Sequence, residues 1–185
     1  MAKLIILVAP SGAGKSTFLQ QAVADDDNLV HSVSYTTRKP RANESQGNPY
    51  NFISEEDFKK KIQEDFFIEW AKVHEHYYGT SKKDLEDIWA QGQRVIMDLD
   101  VKGATRMKGY YPEALTVFLL PPSIDELRNR LQKRDQSEET NLDLRLANAV
   151  DEMLSAPKFD HQIVNDDFDR AYSQFKKIID GQYNQ

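Results

Sequence analysis

The stretch from Lys3 to Thr17, KLIILVAPSGAGKST, restricts the fold more than any other part of the chain. Leu4 to Val8 is a continuous apolar run of strand length, and it stops at Ala9-Pro10. A loop of small residues follows, and helix-compatible sequence begins at Lys15. Gly12 and Gly14 let the backbone take positive φ and turn successive N–H groups toward an anion. The helix start adds its unsatisfied N–H groups and positive dipole end. Lys15 supplies a mobile charge for outer phosphates, and Ser16 a hydroxyl for Mg²⁺. The phosphate-loop pattern G-x-x-x-x-G-K-S/T asks for glycine at position 9, where this chain has Ala9. An alanine methyl is a small burden if that residue ends the strand with negative φ.

The 185 residues suit one compact domain with room for an inserted subdomain. Hydrophobic residues at 39% and charged residues at 29% exclude a disordered chain. No apolar run approaches membrane-span length, and the N-terminus opens into a strand rather than a signal peptide. Cysteine is absent, which excludes disulfides and thiolate metal sites and fits a reducing, cytoplasmic setting. A formal charge of -6 argues against nucleic acid as the main partner. His31, His74, His76 and His161 show no metal-ligand spacing, and nothing implies an obligate protein partner.

Further along, the pattern predicts a helix from Ser16 to Val23, an exposed acidic turn at Asp25 to Asp27, and a strand from Val30 to Thr37. The stretch Ala42 to Pro49 reads as a loop. Ser54 caps a helix to about Glu64, and Phe66 to Val73 is a strand with Glu69 in its middle. Phe66, Phe67 and Trp70 read as core. A helix follows Thr80-Ser81 through Gln91 and closes at Gly92. Val95 to Leu99 is a buried strand, followed by a helix from about Lys102 to Gly109. Leu115 to Leu120 is another strand, and Ser123 with Glu126 forms a capping box for a helix from Ile124 to Lys133. Arg134 to Thr140 reads as a polar loop. A helix from about Asn141 to Ala156, a strand from His161 to Val164 and a last helix to about Gln182 complete the chain.

Apolar strands alternating with helices imply a parallel sheet covered on both faces. The region from about 33 to 83 breaks that rhythm with shorter, more polar strands. It suggests an inserted mixed subdomain over the carboxyl ends of the parallel strands, where such sheets bind ligands. Arg38 and Arg41 lie together after a strand, and guanidinium forks match phosphate oxygens.

The chain resembles the guanylate kinases from end to end. The residues carrying the likeness are APSGAGKST at 9–17, SYTTRKPR at 34–41, NPYNFIS at 48–54, FIEWAKVHEHYYGTS at 67–81, DLDVKGA at 98–104, FLLPPS at 118–123 and IVNDD at 163–167. The resemblance implies an α/β P-loop kinase with a parallel sheet flanked by helices (1–32 and 84–185), an inserted mixed α/β GMP-binding subdomain (about 33–83) and a lid segment (about 130–146). It implies ATP and GMP as substrates, Mg²⁺ as cofactor, and leaves dGMP open as a second acceptor. By matching position, Ala9, Pro10, Ser11, Gly12, Ala13, Gly14, Lys15, Ser16 and Thr17 bind ATP, with Asn165 and Asp166 bordering its adenine. Arg38, Arg41, Tyr50 and Tyr78 hold the acceptor phosphate, while Ser34, Glu69, Thr80 and Asp100 read the base. Lys15, Arg38, Arg134 and Arg145 carry the catalytic charges.

The chemistry of the base supports this. Guanine presents N1–H and the N2 amino group side by side, two donors that one carboxylate accepts, and Glu69 offers that carboxylate. Hydroxyls of Ser34 and Thr80 can donate to O6. Metal ligation falls to Ser16, and to Asp98 through water. The lid run Arg134-Asp135-Gln136-Ser137 departs from the family's usual RGxxS. Two rival readings are a catalytically inactive binding module and a same-fold kinase for another phosphorylated small molecule.

Overall fold

The computed structural model describes residues 2–40, 44–47, 49–73, 75–134 and 139–181, without the side chains of residues 73, 133, 134 and 139–141. In chain order the first half contains β1 (Leu4–Val8), α1 (Lys15–Asp25), β2 (Leu29–His31), β3 (Tyr35–Thr36), β4 (Ser45–Gln46), β5 (Pro49–Phe52), α2 (Glu55–Gln63), β6 (Phe67–Val73) and β7 (His76–Ser81). The second half contains α3 (Lys82–Ala90), β8 (Arg94–Leu99), α4 (Val101–Tyr110), β9 (Leu115–Leu120), α5 (Ile124–Arg134), α6 (Glu139–Met153), β10 (His161–Val164) and α7 (Phe168–Ile179).

β1 is buried along its whole length because it is the middle strand of a five-stranded parallel sheet, ordered β10-β9-β1-β8-β2. Its alternation serves two cores. Ile5 and Leu7 pack with Phe18 of α1 and Phe175 and Ile178 of α7. Leu4, Ile6 and Val8 pack on the opposite face with Leu85 of α3 and Met107 of α4. Phe18 meets Phe168 and Phe175 edge-on, with ring centroids 5.3 and 5.7 Å apart. The register pairs Val8 with both Leu99 and Phe118, so the loops leaving β1, β8 and β9 emerge on one edge of the sheet. That edge carries the site.

The second sheet, ordered β4-β5-β3-β7-β6, is mixed: β3 lies parallel to β5 and antiparallel to β7, which is antiparallel to β6. The strand expected from Val30 to Thr37 is two strands in different sheets. Ser32 N–H still bonds to the Ile96 carbonyl of the first sheet, whereas Thr36 donates its hydroxyl to the Tyr77 carbonyl of the second. The chain changes sheets between them, which a run of alternating residues does not reveal. The expected loop at 42–49 contains β4, turned by Gly47 at φ 79°, whose N–H bonds to the Tyr50 carbonyl.

Helix starts follow the predicted caps: Ser54, Ser81 and Ser123 accept from the N–H groups of Asp57, Asp84 and Glu126. Helix α5 runs through Arg134 and α6 begins at Glu139, so the polar stretch 134–140 is helical at both ends, with 135–138 outside the described residues. Helix α6 stops at Met153 rather than Ala156, and a 3-10 turn at Ala156–Lys158 takes up Pro157, which cannot continue an α-helix. Helix α7 ends at Ile179; Gln182 lies outside the described residues.

Trp70 is 43% exposed, against its expected place in the core, and Phe66 is half-buried. The β6–β7 register is irregular between Phe67 and Glu69, and beyond it Glu69 points inward and its neighbour Trp70 outward. The acidic turn is built into the fold: Asp26 accepts from Arg94 at 2.6 Å and Asp25 from the Tyr172 hydroxyl at 2.7 Å.

Candidate active site

The loop between β1 and α1 forms one pocket, lined by Pro10, Ser11, Gly12, Gly14, Lys15, Ser16, Thr17 and Arg130. Gly12 and Gly14 have φ of 89° and 98°. Both are also sterically demanded, since a Cβ on Gly14 would sit 2.6 Å from Asn165 Nδ2, and one on Gly12 would press Leu131 and Leu127 at 3.1 and 3.2 Å. Ala9 is buried just past the strand and lies outside the left-handed region, so the missing glycine costs nothing there. No side chain caps α1, whose cap residue is Gly14; its first N–H groups are left for a ligand. Asn165 is buried and donates Nδ2–H to the Ala13 carbonyl at 2.8 Å, bracing the loop from beneath. Asp166, expected beside it at the adenine, pairs with Arg170 on the surface. Arg145 reaches from α6 to donate to the Ser11 hydroxyl at 3.2 Å.

A second pocket opens on the other side of Lys15, between the carboxyl edge of the first sheet and the second sheet. Lys15, Ser34, Tyr50, Glu69, Tyr78, Asp98 and Asp100 line it, joined by Gly79, Gly103 and Arg106. Lys15 is shared by both pockets. Its ammonium donates to the Leu99 carbonyl at 3.3 Å and lies 3.7 Å from Asp98. The other Asp98 oxygen lies 3.3 Å from His31 Nε2. Burial pulls the Asp98 carboxyl upward, but the His31 bond and the Lys15 charge prevail and hold it below the ordinary carboxylate value.

The far wall of this pocket is built from the second sheet. Arg38 is gripped by Glu44 through both guanidinium nitrogens at 2.9 Å and rests over the Tyr50 and Phe52 rings. Burial pushes the Tyr50 phenol up to about 12, which keeps it a neutral hydroxyl. Its ring meets Tyr78 edge-on at 5.7 Å. Glu69 is buried; its Oε1 accepts from the Thr80 hydroxyl at 2.9 Å and its Oε2 from Arg106 at 3.4 Å. Burial raises its carboxyl above the ordinary value. Thr80 has one hydroxyl proton and gives it to Glu69, which takes up the donor expected for a base O6; Ser34 also lines the pocket. Asp100 spends Oδ1 on the Gly103 N–H at 2.6 Å, capping α4. Arg41, Asn48 and His74 lie outside the described residues, as does the side chain of Arg134.

Set beside known proteins, the chain has a clear match. The Guanylate kinase family model matches residues 1–182. The chain belongs to the guanylate kinase family. A guanylate kinase of Bdellovibrio bacteriovorus is 51% identical over 96% of each chain, and one of Caldanaerobacter subterraneus subsp. tengcongensis is 43% identical over 95% of this chain and 85% of its own. The crystal structure of guanylate kinase from Anaplasma phagocytophilum superposes with a TM-score of 0.78 at 28% identity, covering 100% of this chain and 87% of that one. A shikimate kinase from Bacteroides thetaiotaomicron, at 16% identity and a TM-score of 0.51, shares the fold.

Several residues of this guanylate kinase site escaped the sequence reading. Arg130 was indistinguishable from surface charge, yet it lines the phosphate-loop pocket and donates to the Asn165 carbonyl at 3.3 Å. Its helical spacing from Arg134 was the available signal. Arg106 and His31 carry no local signal, because each acts on a partner brought to it by the fold, whereas Glu44 lies only six residues from Arg38.

Proposed function

We infer that the chain transfers the terminal phosphate of ATP to GMP, giving ADP and GDP, with the two pockets on either side of Lys15 as donor and acceptor sites. The observation that carries this is the sharing of Lys15: one ammonium borders both a nest of backbone N–H groups and a pocket holding a buried carboxylate. Phosphoryl transfer asks a protein mainly to align two nucleotides and neutralise spreading charge. The loop N–H groups and α1 hold the donor tail, while Arg38, Tyr50 and Tyr78, with Arg41, hold the acceptor phosphate. Glu69 and Ser34 meet the guanine edge, with Thr80 aiming the carboxylate and Asp100 beside it.

Arg130, Arg134 and Arg145 supply guanidinium charge around the transferring group, the last already tied to the phosphate loop through Ser11. Residues 33–83 act as the GMP-binding subdomain and 130–146 as the lid, and closure of both excludes water that would otherwise hydrolyse the donor. Asn165 serves the donor site by bracing the loop, and Asp166 borders it.

The donor set suits Mg²⁺: a hydroxyl at Ser16 and a carboxylate at Asp98 held ionised are hard oxygen groups, and Mg²⁺ needs few protein ligands. When bound, Mg²⁺ offsets phosphate charge. Location in the cytoplasm is part of this reading; among the described residues no helix is long and apolar enough to cross a membrane. Nothing in the comparisons favours a non-catalytic module or a kinase for another acceptor. Mixing the protein with ATP, Mg²⁺ and GMP should yield GDP and ADP in equal amounts; a folded protein that produces neither would overturn the reading.

A further inference from the structure

Arg106 and Glu69 face each other across the seam between the two sheets. Arg106 sits on α4, which packs on the first sheet and touches β6, and Glu69 sits on β6 itself. Arg106 Nη2 lies 3.4 Å from Glu69 Oε2; the arginine side chain is 40% exposed and the glutamate 6%. The other charged or titratable groups lining this pocket are Asp100 at the start of α4, Lys15 and Asp98 at the edge of the first sheet, and Tyr50 and Tyr78 from β5 and β7. Burial pushes the Glu69 carboxyl upward and the Asp100 charge pushes the same way, while the Thr80 hydroxyl and Arg106 oppose them. Arg106 is therefore the cation bonded to a buried acid that another acid disfavours.

The protonation state of that acid decides which purine edge it fits. An ionised carboxylate offers two acceptors, matching the N1–H and N2 amino donors of guanine. A protonated carboxyl no longer accepts both guanine donors, and its O–H suits the N1 acceptor of adenine. We propose that Arg106 is a specificity-determining positioning residue, the counter-charge that keeps Glu69 in its two-acceptor form and so makes the acceptor site choose guanosine over adenosine monophosphate. The inference rests on Glu69 meeting the acceptor base. It assigns Arg106 no contact with the transferring phosphate; the residue acts through Glu69.

The sign follows from the chemistry. GMP needs the ionised form, so its use declines as pH falls through the Glu69 value. Removing Arg106 raises that value further and starts the decline at higher pH.

The test compares the full-length wild type with Arg106→Gln, Arg106→Lys and Glu69→Gln, using GMP or AMP as acceptor from mildly acidic to mildly alkaline pH. For Arg106→Gln, kcat/KM for GMP should fall about tenfold at neutral pH, the lower end for a charged hydrogen bond because the arginine is partly exposed. Its acid limb should move to higher pH, the preference for GMP over AMP should shrink, and KM for ATP should stay within about twofold. Arg106→Lys keeps the charge and should return the acid limb toward wild type. Arg106→Met, which keeps the packed stem, gives the same comparison where the glutamine variant does not fold. A GMP profile that superimposes on wild type, or one that drops equally at every pH, overturns the proposal. Glu69→Gln separates the two levels: unimpaired GMP use there removes Glu69 from the base site, whereas impaired use beside an unmoved Arg106→Gln profile removes only Arg106.

Discussion

At the scale of single residues, the site is arranged by contacts that leave little slack. Gly14 is required twice, by its φ of 98° and by the Asn165 amide 2.6 Å from where a Cβ would stand. Gly14→Ala should therefore weaken ATP binding by at least tenfold, checked by titration with a non-hydrolysable analogue, while GMP binding stays near normal. Asn165→Ala leaves the Ala13 carbonyl without its side-chain donor in a buried place, a loss of about 1–3 kcal/mol of stability that denaturant unfolding would measure. Its expected companion is a raised KM for ATP; an unchanged KM would restrict Asn165 to the fold. Asp98, held ionised by His31 and Lys15, gives a third case: Asp98→Asn should raise the Mg²⁺ concentration needed for half-maximal turnover. An unaltered Mg²⁺ titration would remove Asp98 from the metal site.

At the scale of elements, two carboxylates tie neighbours together. Asp100 caps α4 with one oxygen and lines the pocket we assign to the acceptor, so that one side chain serves both helix and pocket. Asp100→Ser keeps a capping oxygen without the charge; melting should remain close to wild type while KM for GMP rises. Normal KM in that variant would make Asp100 a cap and nothing more. Asp160 precedes β10 and accepts from Lys108 of α4 and from the N–H and hydroxyl of Thr116 on β9. Burial opposes its ionisation, but these bonds prevail and hold the carboxyl below its ordinary value. A depressed carboxylate contributes stability above its unfolded pKa and loses it as pH falls through the folded one. Asp160→Asn should thus melt below wild type at neutral pH, with the gap closing in acid; a constant gap would show that charge is not the cause.

These elements also show how far the sequence could be read. Strands β1, β8 and β9 and the helices capped by Ser54, Ser81 and Ser123 announce themselves, because near-continuous burial and cap chemistry are local demands. Strands β3, β4, β5 and β7 do not. They are partly polar, β3 and β4 are only two residues long, β3 is held by partners 16 and more than 40 residues away, and the path from β2 to β3 crosses between sheets without a turn signature. Trp70 was misplaced for a related reason: an irregular register near Glu69 sets which residues face inward, and apolar character alone cannot foresee it.

At the scale of the whole molecule, the proposed site lies in the seam between two sheets, with the donor loop assigned to one and the acceptor contacts to the other. Ligands that touch both sides favour the arrangement that brings the sides together. Small-angle scattering should show a smaller radius of gyration with GMP and an ATP analogue together than with either alone; an unchanged radius with both bound would remove closure from the account.

The glycine loop, the apolar strand feeding it and the capped helices were written in the chain, because each depends on residues within one or two turns of one another. The meeting of Glu69 with Thr80 and Arg106, of Lys15 with Asp98 and His31, and of Arg38 with Glu44 was decided by tertiary structure. Pairing of β6 with β7 puts Thr80 beside Glu69, the order of the first sheet brings Lys15 and His31 to Asp98, Glu44 closes on Arg38 from six residues away, and the packing of α4 against β6 gives Glu69 its arginine.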